Sequence, residues 1–201
     1  MLKELFIAGV LLLSAAPFLA HATNQDAWLP FDKEYVFAAE ILMRSEGLEY
    51  WALPMPEDEK GYAAATSMVQ HMQSILHRVD PLVIPISLAG IRYDYNKGKS
   101  LAKDDFINKV ENDLNMMGSK KLAYVRCTGR YSGRNVAFCV VTPESGRSLQ
   151  QDLLSKGYVT LSDNPKEAPR DIYPHLKAAE SEAQQDEIGI WVPFYFMMKG
   201  L

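Results

Sequence analysis

Five basic side chains and two tyrosines crowd one stretch of this chain: Lys120, Lys121, Arg126, Arg130 and Arg134, with Tyr124 and Tyr131 among them. Arginines beside aromatic rings suit contact with phosphates and stacked bases, or with an acidic partner. The plainer reading is a solvated strand whose charges block edge-to-edge aggregation. Residue types alone leave both open. Two cysteines, Cys127 and Cys139, lie in the same stretch, either side of a turn centred near Gly133. An antiparallel hairpin would set them opposite or nearly so. In an oxidising compartment they can then bridge; otherwise they are two free buried thiols. Without a neighbouring histidine they do not make a zinc site. Other catalytic patterns are missing from the sequence. Downstream of residue 22, His71, His77 and His175 form no His-Glu-x-x-His set. There is no Gly-x-Ser-x-Gly elbow, and the glycines make no phosphate-cradling loop.

Whatever this stretch does, the rest of the chain must position it. Residues 1–22 read as a secretory signal: Lys3 at the start, an apolar run from Phe6 to Leu13, and Ala20-His21-Ala22 as a small-x-small cleavage site. The apolar run falls short of the ~20 residues that span a bilayer. No second long apolar run follows, so residues 23–201 read as one domain without a membrane span, periplasmic or secreted. Lys3 and Glu4 cancel, so removing the signal leaves the formal net charge at −4. That sign disfavours strong, non-specific nucleic-acid binding. A hydrophobic content of 48% is enough for a packed core.

Thr23 to Pro30 reads as a loosely held arm docked by Trp28 and Leu29. Residues 34–53 read as a β-hairpin around the Glu46-Gly47 turn. Prolines 54 and 56 end it. Acidic residues 57–59 then open an amphipathic helix over about 57–79, with Tyr62, Ala65, Val69 and Met72 on one stripe and Met68 beside them. Its methionine face is either packed on the domain or a partner-binding surface. Pro81 to Ile91 reads as a buried strand, with Pro85 marking an edge or a bulge. Leu101 to Met117 is a second amphipathic helix, with Phe106, Val110, Leu114 and Met117 aligned. Gly118 stands where a helix stop is expected. Strands at Lys121–Cys127 and Arg134–Val141 flank the hairpin turn. Ser148 is placed to cap a helix ending before Gly157. Residues 163–174, with three prolines, form a loop ahead of a last helix over His175–Glu187. Leu176, Ala179 and Ala183 face inward on it. The apolar tail from Val192 to Met198 either docks on the domain or presents a contact patch.

Three pieces recur in a telling order: Arg130-Tyr131-Ser132-Gly133-Arg134-Asn135-Val136-Ala137, then the Ser148-to-Gly157 helix, then Leu176 through Glu180 to Gly189-Ile190-Trp191. That order resembles the C-terminal half of the staphylococcal nuclease family. There a Tyr-Gly-Arg strand precedes an Asn-x-x-Leu-x-x-x-Gly helix and a helix ending in Gly-x-Trp. The resemblance covers roughly residues 82–191; residues 34–53 join it by position. It implies a β-rich α+β fold: an OB-type, five-stranded Greek-key barrel with three helices, to which the 57–79 helix is an N-terminal insertion.

The family's chemistry needs two aspartates and a carbonyl on calcium, a glutamate that orients water, and two arginines on the transition state. The matching positions here read differently. Ser87 takes one arginine position, Arg92 the metal-aspartate position, and Tyr95 the glutamate position. The family's Asp-Gly-Asp-Thr turn would fall near residues 44–50, where Ser45-Glu46-Gly47-Leu48 lacks the second aspartate. Arg134 alone matches a catalytic position, after a one-residue insertion at Ser132. The resemblance therefore implies an exported, catalytically inactive nuclease-like module that binds a protein partner in the bacterial envelope and needs no cofactor. Arg130, Arg126, Tyr131 and Arg92 are its candidate contact residues. The alternative is a divergent secreted calcium-dependent nuclease cleaving DNA or RNA phosphodiesters. A two-residue register slip, which keeps the strand's face, would then bring Asp94 to the metal, with Glu46 as a second ligand and Arg134 as the catalytic arginine.

Overall fold

The computed structural model describes residues 28–45, 47–72, 82–92, 103–118, 121–131 and 135–192. Strand β1 (Trp28–Arg44) alternates inward Tyr35, Phe37, Ala39 and Ile41 with outward Val36, Ala38 and Glu40. It turns at Gly47 into β2 (Glu49–Pro54), pairing antiparallel as the hairpin pattern predicts. Helix α1 (Glu59–His71) follows, inside the expected 57–79 span; residues 73–81 lie outside the described residues. Asp58 caps α1 by accepting from Gly61 N–H at 3.0 Å and also accepts from Ala38 N–H at 3.2 Å. One carboxylate thus satisfies an orphan helix donor and ties the helix to β1. Met68 and Met72 are buried in the core, so the methionine face packs on the barrel.

Strand β3 (Ile84–Leu88) pairs antiparallel with β2, and β4 (Ile91–Arg92) follows after a turn at Gly90. Pro85 does not put β3 at the edge of the barrel. It sits opposite Trp51, and β6 (Ala137–Pro143) begins its parallel pairing only at Ile86. One side of β3 is thus still unpaired at Pro85, the kind of place where a missing N–H is tolerated. Helix α2 (Lys103–Gly118) buries Val110 and Leu114; the side chains of Phe106 and Met117 lie outside the described residues. Strands β5 (Lys121–Tyr131) and β6 pair antiparallel and complete a closed barrel in the order β1-β2-β3-β6-β5. With α3 (Leu149–Ser155) and α4 (Tyr173–Gln185) this gives a β-rich α+β fold of OB type, with five barrel strands and four helices among the described residues. A separate two-stranded pair joins β4 to β7 (Thr160–Leu161).

The end of the expected N-terminal arm is strand; residues 23–27 lie outside the described residues. Trp28, Leu29 and Pro30 belong to β1 and stand opposite Tyr131, Arg130 and Gly129. The physical reason is Gly129: a Cβ there would come within 2.4 Å of the Trp28 indole nitrogen. The bare backbone leaves room for the ring against the strand. Ser148 caps α3 in a full capping box with Gln151. Buried Gln150 docks that helix on β6, donating to the Cys139 carbonyl at 2.8 Å and accepting from Val141 N–H at 3.3 Å.

Tyr50 ties the barrel to α2, donating from Oη to the Leu114 carbonyl at 3.2 Å. Burial pushes its phenol up to about 12. The neutral phenol is the folded form, so this contribution is whole below the ordinary tyrosine pKa near 10. It is lost as pH rises toward 12, at a cost of about 2 kcal/mol. Urea unfolding over that window should show the loss, and Tyr50→Phe should flatten part of it. Tyr158, raised to about 12 by burial and by its hydrogen bond to Asp113, accounts for a further share. An unchanged slope in Tyr50→Phe would refute the assignment.

Candidate functional site

The hairpin of β5 and β6 carries most of the sequence candidates, and strand alternation sends them to different places. Cys127 and Cys139 point inward, stand directly opposite each other and are joined by a disulfide, both fully buried. Arg126 points outward. It donates from Nε and Nη2 to both Glu34 oxygens at 2.8 and 2.9 Å, and from Nη1 to both Asp171 oxygens at 3.0 and 2.8 Å. The Arg126 hydrogen bond holds the Asp171 carboxyl below the usual carboxylate range. A guanidinium held by two carboxylates in this way fastens the loop before α4 to β1. Arg130 is half-buried, opposite Leu29 and Ala137. Tyr131 packs on Phe138 with ring centroids 4.2 Å apart and stands opposite Trp28. These rings join Ala89, Val140 and Ile172 in a small apolar cluster of their own.

Arg92 lies at the end of β4, opposite Thr160 of β7. Its Nε donates to Ser162 Oγ at 3.2 Å, and its Nη2 is 3.7 Å from Glu167 Oε1. Glu167 is buried, in a short 3-10 turn (Pro165–Glu167), and its backbone carbonyl accepts from Thr128 Oγ1 at 2.7 Å. Arg92 thus has a hydroxyl and a carboxylate beside it, on a loop anchored to β5. Ser87 is buried on β3 between Glu49 and Phe138.

Arg44 and Tyr50, at the two ends of the stretch where the family's turn would fall, are committed to packing. Arg44 donates to the Gly47 carbonyl at 2.5 Å and pairs with Glu111 of α2, with its side chain nearly buried. Arg134, Asp94, Glu46, Lys120, His77 and the tail from 193 onward lie outside the described residues. Among the described residues, no three histidine, cysteine, aspartate or glutamate side chains are grouped to hold a metal ion. No helix among them is long and apolar enough to cross a membrane.

Sequence reasoning missed Ser162, Glu167, Glu34 and Asp171. The one available signal was chemical: a half-exposed arginine on a strand favours a carboxylate partner, but nothing local says which.

A family model described as staphylococcal nuclease homologue matches residues 85–193, more than half of the chain. Among solved structures, the extended Tudor domain of Drosophila melanogaster Tudor-SN is similar with a TM-score of 0.50 and 11% identity. The match covers 79% of this chain and 100% of that one, and at this identity it shows likeness of fold alone. Comparison with curated proteins found no match.

Proposed function

Because the chain belongs to the staphylococcal nuclease homologue family, we propose that it is an exported, non-catalytic member that works as a protein-binding module in the bacterial envelope. The observation that carries this reading is Arg92. By the family pattern it occupies a metal-aspartate position, and its guanidinium sits beside Ser162 and Glu167. An arginine cannot be deprotonated in a protein, so it supplies no ligand and repels a divalent cation. Ser87 at an arginine position removes a second charge. Export is supported by the signal-like residues 1–22 and by the Cys127–Cys139 bridge, which an oxidising compartment favours. Binding is supported by what remains: a closed barrel in which, by the family pattern, Ser87 and Arg92 stand at two of the charged positions.

The test is incubation of purified residues 23–201 with single-stranded and duplex DNA in calcium, with Arg134→Ala alongside. We expect no cleavage above a protein-free control, and no rise in melting temperature on adding calcium. The alternative, a divergent calcium-dependent nuclease using Asp94, Glu46 and Arg134, rests on family membership itself. Calcium-dependent cleavage that falls in Arg134→Ala would establish it and remove our reading.

A further inference from the structure

We infer that the outer wall of strands β1 and β5 docks a basic protein segment bearing an aliphatic or aromatic anchor. The inference rests on the binding-module reading above and gives that module its contact face. Outward on β1 stand Val36 and Ala38; outward on β5 stand Leu122 and Tyr124. The register sets Ala38 beside Tyr124 and Val36 beside Arg126, so Val36 and Tyr124 are diagonal neighbours. Val36 and Leu122 are each 48% exposed and Tyr124 is 62% exposed. A single exposed apolar side chain is ordinary, but three large ones adjoining across one strand pair mark a contact surface. The other candidate face, the methionines of α1, is buried.

The mode of contact follows from the barrel. β5 is hydrogen-bonded to β1 on one side and to β6 on the other along the patch. Its backbone has no free edge for an added strand, so a partner must meet the wall with side chains, face on. The rim decides what kind of partner. Among the described residues, four carboxylates border the wall: Glu34 and Asp171 around Arg126, Glu40 beside Leu122, and Glu144 past the end of β6. Against them, among the same residues, stand Lys121 at the end of β5, Arg126, which already holds two of the four, and Arg170 next to Asp171, with His175 also acting on Asp171. The chain as a whole is at −4. A second copy would set acid rim against acid rim, and a nucleic-acid strand would meet the same repulsion despite the ring of Tyr124. Lysines or arginines flanking an apolar anchor complement both the centre and the rim.

The probes are two short amphipathic helical peptides with one leucine pattern, differing only in lysine or glutamate on the polar face. Calorimetric titration of residues 23–201 should show binding of the lysine peptide, weakened by salt, and none of the glutamate peptide. Leu122→Ser with Tyr124→Ser should weaken binding by about tenfold or more, with the thermal melt unchanged. Glu40→Lys with Glu144→Lys keeps the apolar centre and should reverse the preference between peptides. The inference is overturned by full-strength binding to the serine variant, or by equal binding of both peptides. Self-association that the serine variant abolishes overturns it in favour of a second copy. Binding of oligo-deoxythymidine that needs Tyr124 overturns it in favour of a nucleic acid. DNA cleavage, read in the separate nuclease assay, would refute the non-catalytic reading without bearing on this wall.

Discussion

Folded without its Cys127–Cys139 bridge, the protein will be less stable by about 3 kcal/mol. The two cysteines are twelve residues apart and face each other across β5 and β6, in the barrel core. Closing a loop of that size removes about 3 kcal/mol of chain entropy from the unfolded state at room temperature. For a chain of this size that lowers the melting temperature by about 6–12 °C. β5 and β6 each also bond to a further barrel strand, β1 and β3 respectively, so loosening the hairpin loosens closure. The measurement is urea unfolding of oxidised protein against protein unfolded, reduced and refolded in reductant. Equal midpoints would show that strand pairing alone holds the hairpin. Because both sulfurs are fully buried, reductant added to the native protein will act only as fast as the barrel opens. The same reductant will act at once on unfolded chain. A cytosolic thiol buffer would keep these cysteines reduced and withhold this stability, which makes the bridge a physical reason for the proposed export.

What could be read from the residues was local. Ser148 and Gly157 bracket α3 because a cap and a left-handed stop each need one residue type at one place. A hairpin turn expected near Gly133 sets Cys127 and Cys139 opposite or nearly so, and a bulge between Cys127 and Gly129, which the residues do not announce, puts them directly opposite. The limits appear where a residue's partner is distant. Arg126 looks like a free binding arginine until Glu34 and Asp171 arrive from 92 and 45 positions away. Arg92 reads as a reversed charge without a partner because Glu167 is hidden in a proline-rich loop. The strands that set Arg92, β4 and β7, are two residues each, too short to carry any period. The parallel pairing of β3 with β6 closes the barrel without a local signal. Trp28 joins β1 only because Gly129, far along the chain, leaves room for its ring.

Gly157→Ala will be strongly destabilising, costing about 4 kcal/mol. Backbone strain and steric contact add. Gly157 has φ +61°, a left-handed conformation that costs a side-chain-bearing residue about 1–2 kcal/mol. Contact costs more. An alanine Cβ would come within 2.2 Å of the Ile188 carbonyl oxygen and 3.1 Å of the Gly189 Cα. Those are backbone atoms, with no flexible side chain to swing aside. Gly189 returns the contact: its own Cβ would meet the carbonyl oxygens of Gly157 and Lys156 at 2.3 and 2.6 Å. The two glycines lie backbone to backbone, and Ile190 N–H donates to the Gly157 carbonyl at 2.9 Å. The added methyl must therefore push the end of α3 away from the turn after α4 and break that bond. Gly146→Ala supplies the control. Its φ is +84°, yet nothing lies within 4 Å of the added carbon, so it should lose only the about 1–2 kcal/mol of backbone strain. Thermal or urea unfolding of the two variants separates strain from contact. A Gly157→Ala loss no larger than that of Gly146→Ala would mean the glycine pair is not what clamps α3 to α4. If the pair is the clamp, Gly157→Ala with Gly189→Ala will cost well under the sum of the singles, because the first methyl has already opened the contact that the second would enter.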